Sequence, residues 1–330
     1  MRKRELPKGK ARELEKALEE EEKFALFEKV KNEVIWVNPE IKLPFKIKEQ
    51  EENPLGVFLK LQREGNASYK KLETIPGECR TALLGRVIFK DKNNNYFRDI
   101  DLKGIGDVCA PSLIGQPFAW FSYHGFLSRE DAEKEKTISE ELTKAKIRVP
   151  RVLAIIKLKE AIFKNKKISI EELLKETPVP ENFQPVVMVR SFRTKAKVEN
   201  LFSHSISERI KNLLLEDAKE IVRQETGKKE LSNKDYLMWF SQTLGENLGR
   251  LHKMGYCHFN LHHQNLTLAC ELVDFDTVEK FTQLKEREKD LDGANKILKD
   301  LGEKLGVSFS LLKEKFKEGY ERHFQREYQD

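Results

Sequence analysis

Apolar and polar positions follow several distinct rhythms along this chain, and each rhythm predicts its own kind of element. Residues 1 to about 35 carry a thin apolar stripe, Leu14, Leu18, Phe24 and Phe27, around the acidic run Glu19 to Glu22, which predicts one or two charged helices as an N-terminal extension. Pro39, Pro44 and Pro54 break any helix in the next stretch, leaving a connector or short edge strands. From Leu72 the pattern turns β-like: Arg80 to Phe89 and Tyr96 to Lys103, joined by the polar turn Asp91-Lys-Asn-Asn-Asn, predict a hairpin. A Glu- and Lys-rich helix is expected over Ser128 to Lys146, then a strand at Val149 to Ile156 and a buried strand at Pro185 to Arg190. From Ser205 the rhythm is helical, with Leu237, Phe240, Leu244, Leu248 and Leu251 at helical spacing. A loop with two small strands, His258 to Asp276, interrupts the helices, which return from about Phe281.

The sum is an α+β chain of two lobes: a charged extension at 1–35, a sheet lobe with its connector at 36–190 and a helical lobe at 191–330. A length of 330 residues with 39% hydrophobic positions supports cores of this size, while 35% charged residues demand long solvated faces. Lys and Arg exceed Asp and Glu by 61 − 55 = 6, but the signs are interleaved, which weighs against nucleic-acid binding. Cys79, Cys109, Cys257 and Cys270 form no Cys-x-x-Cys pair and read as reduced thiols. With no long apolar run, the expectation is a cytoplasmic protein without a membrane partner.

The segment carrying chemistry runs Leu251-His-Lys-Met-Gly-Tyr-Cys-His-Phe-Asn-Leu-His-His-Gln-Asn, followed by Leu-Thr-Leu-Ala-Cys-Glu-Leu-Val-Asp-Phe-Asp. It resembles the protein-kinase catalytic loop and the metal-binding Asp-Phe-Gly. The resemblance makes His258 the loop histidine and makes Asn265 and Asp274 the metal ligands, an amide and a carboxylate oxygen suited to magnesium or manganese beside phosphates. The order strand, strand, helix, strand, strand likewise resembles a kinase N-lobe, an antiparallel sheet with one main helix. Lys103 ends a strand before Gly104 and Gly106, where its ammonium can meet phosphate oxygens of ATP. Glu140 and Glu141, on the following helix, stand where kinases place the glutamate that pairs with that lysine; Glu140 is the first choice and Glu141 the alternative, since only one of two adjacent helical residues faces the cleft.

Four segments resemble, in order, motifs of the selenoprotein O (SelO) family: Gly77-Glu-Cys-Arg-Thr-Ala-Leu-Leu-Gly-Arg-Val, Asp101-Leu-Lys-Gly-Ile-Gly, Val187-Met-Val-Arg-Ser-Phe-Arg and Gly255-Tyr-Cys-His. The resemblance implies a bilobal kinase-like fold that binds ATP inverted and transfers AMP to protein hydroxyl groups. It implies that Lys103 touches phosphates and pairs with Glu140, that Asn265 and Asp274 hold the metal, and that Arg190 and Arg193 clamp the nucleotide. The chain departs from kinases at Asn260, where an amide replaces the catalytic aspartate and accepts no proton. It departs from the SelO pattern at Gln264, where that family has an acid. Asp276 offers a second metal ligand, a substitute base or a turn cap. The alternatives are a small-molecule or protein phosphotransferase and a catalytically inactive pseudokinase scaffold.

Overall fold

The computed structural model describes residues 10–20, 24–43, 46–53, 55–59, 70–73, 80–91, 95–106, 125–163, 166–176, 180 and 182–324. In chain order they form α1 (Lys10–Glu20), β1 (Phe24–Lys29), β2 (Asn32–Val37), β3 (Val57–Leu59), β4 (Lys70–Glu73), β5 (Thr81–Lys90), β6 (Tyr96–Lys103), β7 (Leu127–Ser128), α2 (Arg129–Lys144), β8 (Arg151–Leu158), β9 (Glu160–Phe163), β10 (Lys166–Ser169), α3 (Ile170–Glu176) and β11 (Pro185–Phe192). There follow α4 (Glu208–Thr226), α5 (Asn233–Lys253), β12 (Tyr256–Cys257), β13 (Glu279–Lys280), α6 (Arg287–Leu305) and α7 (Phe309–His323). The chain is α+β, with a mainly antiparallel sheet and several helices. It divides into two compact units: one takes residues up to Lys136, Arg151–Lys195 and Ser203–Leu213, the other Thr137–Pro150, Ala196–Phe202 and the chain from Leu214.

The first unit holds an antiparallel sheet ordered β2-β8-β11-β6-β5-β4-β1-β3, with β7 added beside β11. β8 and β11 are continuous apolar runs because both of their faces are covered. On one face Ile100, Leu102, Val187 and Val189 join Phe27 and Val34 in the larger core. On the other, Val186, Met188 and Ile155 pack with Leu127 and with Ala132 of α2. Each such side chain, fully buried, contributes about 1.5–3 kcal/mol. The β5–β6 hairpin forms as its alternation predicts. Downstream of α1 the N-terminal expectation fails, because Phe24–Lys29 and Asn32–Val37 are strands, β2 pairing with β8. The β-branched and aromatic run Val34-Ile-Trp-Val suits a pleated, half-covered surface better than a helix.

The second unit is helical. Ser232 starts α5 by accepting from the Asp235 N–H at 3.1 Å, and Asp235 reaches back to the Ser232 N–H, a reciprocal cap. Leu237, Phe240, Leu244, Leu248 and Leu251 form the buried stripe that their spacing predicts. α5 and α7 cross with almost no gap, since a Cβ on Gly245 would lie 2.1 Å from the Phe316 carbonyl oxygen. The two small strands expected within 258–276 lie just outside it, as β12 paired with β13; among the described residues the loop itself has only isolated bridges, Leu266 to Leu272 and Thr267 to Lys197. Among the described residues no helix is long and apolar enough to cross a membrane.

Candidate functional site

In the first unit β6 brings three charged residues onto one face. Ile100 and Leu102 enter the larger core, so the two-residue period puts Asp99, Asp101 and Lys103 on the opposite side. All three are at most 3% exposed. Lys103 Nζ lies 2.5 Å from Glu135 Oε2 on α2. Arg190 on β11, paired in register with Asp101, donates through Nε and Nη2 to the two Asp101 oxygens at 3.0 and 2.7 Å and through Nη1 to Glu135 Oε1 at 2.9 Å. Burial acts to lower the Arg190 pKa, but Asp101 and Glu135 overcome it and hold the guanidinium charged, above its ordinary value. Asp99 accepts from Arg98 Nε at 2.6 Å and from the Lys195 N–H at 2.8 Å, with Arg86 Nε 3.8 Å away. Burial alone would raise the Asp99 pKa; Arg98 and Arg86 reverse it and hold the carboxyl below its usual range. The chain leaves β6 through Gly104 at φ +92, where a Cβ would meet the Val186 carbonyl oxygen at 2.5 Å.

In the second unit a loop runs from β12 to β13 and is pinned by a buried carboxylate on α6. Asp290 accepts from the N–H groups of His258 and Phe259 at 2.7 and 2.8 Å. It also accepts from His252 Nε2 at 3.1 Å; a carboxylate only accepts, so that nitrogen carries the proton. His258 Nε2 donates to the Val273 carbonyl at 2.9 Å, tying the two arms of the loop together. Asn265 Nδ2 donates to the Asn260 carbonyl at 2.9 Å, and the Val273 N–H donates to the Asn265 carbonyl at 3.1 Å. No described residue donates to the Asn265 side-chain oxygen. Asp274 follows in the left-handed region, φ 65 and ψ 73, a strained setting for a non-glycine residue, and the next side chain, Phe275, is buried. His262 Nδ1 accepts from the Gln264 N–H at 3.2 Å. Burial and His258 push the His262 pKa below its ordinary value against the pull of Asp274.

The sequence-predicted residues fall into these two groups, with one correction. Lys103 pairs with Glu135 and not with Glu140. Ala132, Glu135, Ser139 and Leu142 form the buried stripe of α2, and Glu140 lies one helical step off it, half-buried. Arg190 and Arg193 are both buried. The Arg190 fork is spent on carboxylates, while Arg193 lies 5.2 Å from the Phe97 ring and 3.3 Å from Asn95 Oδ1. Asn265 and Asp274 share one loop, its two arms joined by backbone hydrogen bonds. Asp276 is exposed in the turn beyond Asp274. Cys79, Cys109 and the start of the Gly77 segment lie outside the described residues.

Sequence reasoning missed Asp99, Asp101, Glu135, Lys195 and Asp290. The signal for the first two was the placement of charges at every second position of a strand whose other face is apolar.

The amide oxygen of Asn265 and the carboxylate of Asp274 are hard donors that fit a magnesium or manganese ion. A second group, His252, Cys257 and Asp290, brings its donor atoms within 4.8 Å of one another. It suits a metal poorly: Asp290 is already engaged by three N–H donors, and burial pushes the Cys257 thiol up to about 12. No family model and no curated protein matches the chain.

Proposed function

We propose that the chain is a kinase-like, ATP-dependent nucleotidyltransferase resembling the SelO family, which moves AMP from ATP to protein hydroxyl groups. The observation that carries the reading is the buried Lys103–Glu135 pair at the end of a strand. A fixed ammonium there meets phosphate oxygens with its orientation already set, so little reorganisation accompanies binding. The loop supports the same reading, because Asn265 and Asp274 offer oxygens for magnesium or manganese. A divalent ion held by that loop would supply Lewis-acid charge neutralisation.

In this chemistry the acceptor oxygen forms a bond to the α-phosphorus, the bond to the bridging oxygen breaks, and pyrophosphate leaves with the electron pair. The hydroxyl proton passes to solvent, since residue 260 is an amide. General-base help is worth about 10²–10⁴ in rate, so the reaction is expected to be slow. Asn260 favours one second reading, a scaffold that binds nucleotide without turnover. Incubation with ATP labelled separately at the α- and γ-phosphates tests both. Protein-bound label from α supports AMP transfer, label from γ identifies a phosphotransferase, and label from neither leaves the scaffold.

A further inference from the structure

Within the second unit a line of hydrogen bonds joins α7 to the loop that carries Asn265. The Tyr320 hydroxyl on α7 lies 2.8 Å from His252 Nδ1 on α5, and the other nitrogen of that ring donates to Asp290 at 3.1 Å. The partners fix the direction of each bond. Asp290 only accepts, so His252 Nε2 holds a proton; in the neutral ring Nδ1 is then the acceptor and the Tyr320 hydroxyl its donor. Arg287 Nη1 stands 3.5 Å from the same hydroxyl and can only donate, which turns the oxygen lone pairs toward the guanidinium and the hydrogen toward His252. Burial pushes the Tyr320 hydroxyl up to about 12 against the pull of Arg287, so it keeps its proton near neutrality. His252 and Asp290 are both buried. Packing holds Tyr320 where it is: a Cβ on Gly249 of α5 would lie 2.6 Å from the Tyr320 carbonyl oxygen, and the Tyr320 ring stacks on Phe316 at 6.1 Å between centres. Beyond Asp290 the line continues, because the N–H groups of His258 and Phe259 end on that carboxylate and His258 Nε2 donates to Val273, the residue before Asp274. Without the tyrosine hydroxyl, His252 Nδ1 is left buried with no donor, and nothing then selects the tautomer that faces Asp290.

We propose that Tyr320 is a positioning residue for the Asn265–Asp274 loop and acts through His252 and Asp290. The role rests on the nucleotide reading only for what the loop is positioned to hold. Tyr320→Phe removes the hydroxyl and keeps the ring, so the stacking on Phe316 survives. In the full chain without nucleotide, nitrogen NMR of histidine-labelled protein reads the His252 tautomer, and amide hydrogen exchange reads the loop. The wild type is expected to show one tautomer, protonated at Nε2. In Tyr320→Phe that single form is expected to be lost, and the His258 and Phe259 amides to exchange at least about tenfold faster, while the Leu244 and Leu248 amides of α5 exchange as in the wild type. An unchanged tautomer, or unchanged exchange at 258 and 259, overturns the proposal. So does a rise shared equally by Leu244 and Leu248, which marks a general loosening of α7 on α5. Titration with magnesium-ATP separates the two readings. If the wild type does not bind it, the nucleotide reading falls, and the tautomer and exchange results alone decide the role of Tyr320. If the wild type binds it, affinity in Tyr320→Phe is expected to fall at least about threefold, and equal affinity overturns the positioning role.

Discussion

The charged row on β6 and the loop between β12 and β13 are held in opposite ways. On β6, side chains hold side chains: Lys103, Arg190 and Arg98 are fixed by carboxylates that are themselves buried. In the loop, the main chain does most of the holding: the N–H groups of His258 and Phe259 and the carbonyls of Asn260 and Val273 set the course of the chain, and Asn265 is oriented as a result. The first arrangement fixes point charges and is sensitive to the loss of any one partner. The second fixes a backbone path and hangs on one carboxylate, Asp290. Removing that carboxylate leaves two backbone donors and a histidine N–H buried without an acceptor. Asp290→Ala is therefore expected to cost about 3–5 kcal/mol in urea unfolding, the largest effect of any single change considered. A loss under about 1 kcal/mol would show that the loop keeps its course without Asp290.

A smaller effect separates Glu135 from Glu140, five residues further along the same helix. Glu135→Gln keeps the shape but removes the charge that faces both Lys103 and Arg190, and a loss of about 3 kcal/mol is expected. Glu140→Gln, off the buried stripe, is expected to stay within about 0.5 kcal/mol. Equal losses in the two variants would return Glu140 to the role that the sequence suggested for it.

That pair also shows what could be read in the sequence. The strand, the helix and the need for a glutamate opposite Lys103 all follow from periodicity and motif order. The choice between Glu135 and Glu140 depends on the phase of α2, and its weak pattern of Ala132, Ser139 and Leu142 among charges hardly declares that phase. The hairpin, α5 and the Asn265–Asp274 loop were legible because local residues dictate them. β1 and β2 were not, since charged neighbours mask their alternation and their stability comes from distant partners, β4 for β1 and β8 for β2. Asp290 was invisible for the same reason. It lies 31 and 32 residues from the amides it holds, inside a helix whose other acids are solvated. The charges of β6 stood in plain view, yet their meaning depends on Arg190 and Lys195, about ninety residues away.

The mildest test of the contrast between the two regions uses pH, because its effect vanishes near neutrality. Asp99 is held below its ordinary pKa by Arg98 and Arg86 against the opposing effect of burial. A carboxyl depressed in the folded state stabilises it fully above the unfolded value, about 3.9, and loses that contribution as pH falls through the folded value. Below about pH 4 the unfolded chain binds a proton at this position before the folded chain does, so wild-type stability falls there through Asp99 and is flat in this respect from pH 5 to 8. The stability gap between the wild type and Asp99→Asn is accordingly expected to be constant from pH 8 to 5 and to narrow below about pH 4, measured by urea unfolding across the series. A gap that instead shifts in favour of the wild type as pH falls from 8 to 5 would mean that Asp99 titrates as a raised carboxyl, that burial outweighs the arginines beside it, and that the row on β6 is not held by its charges.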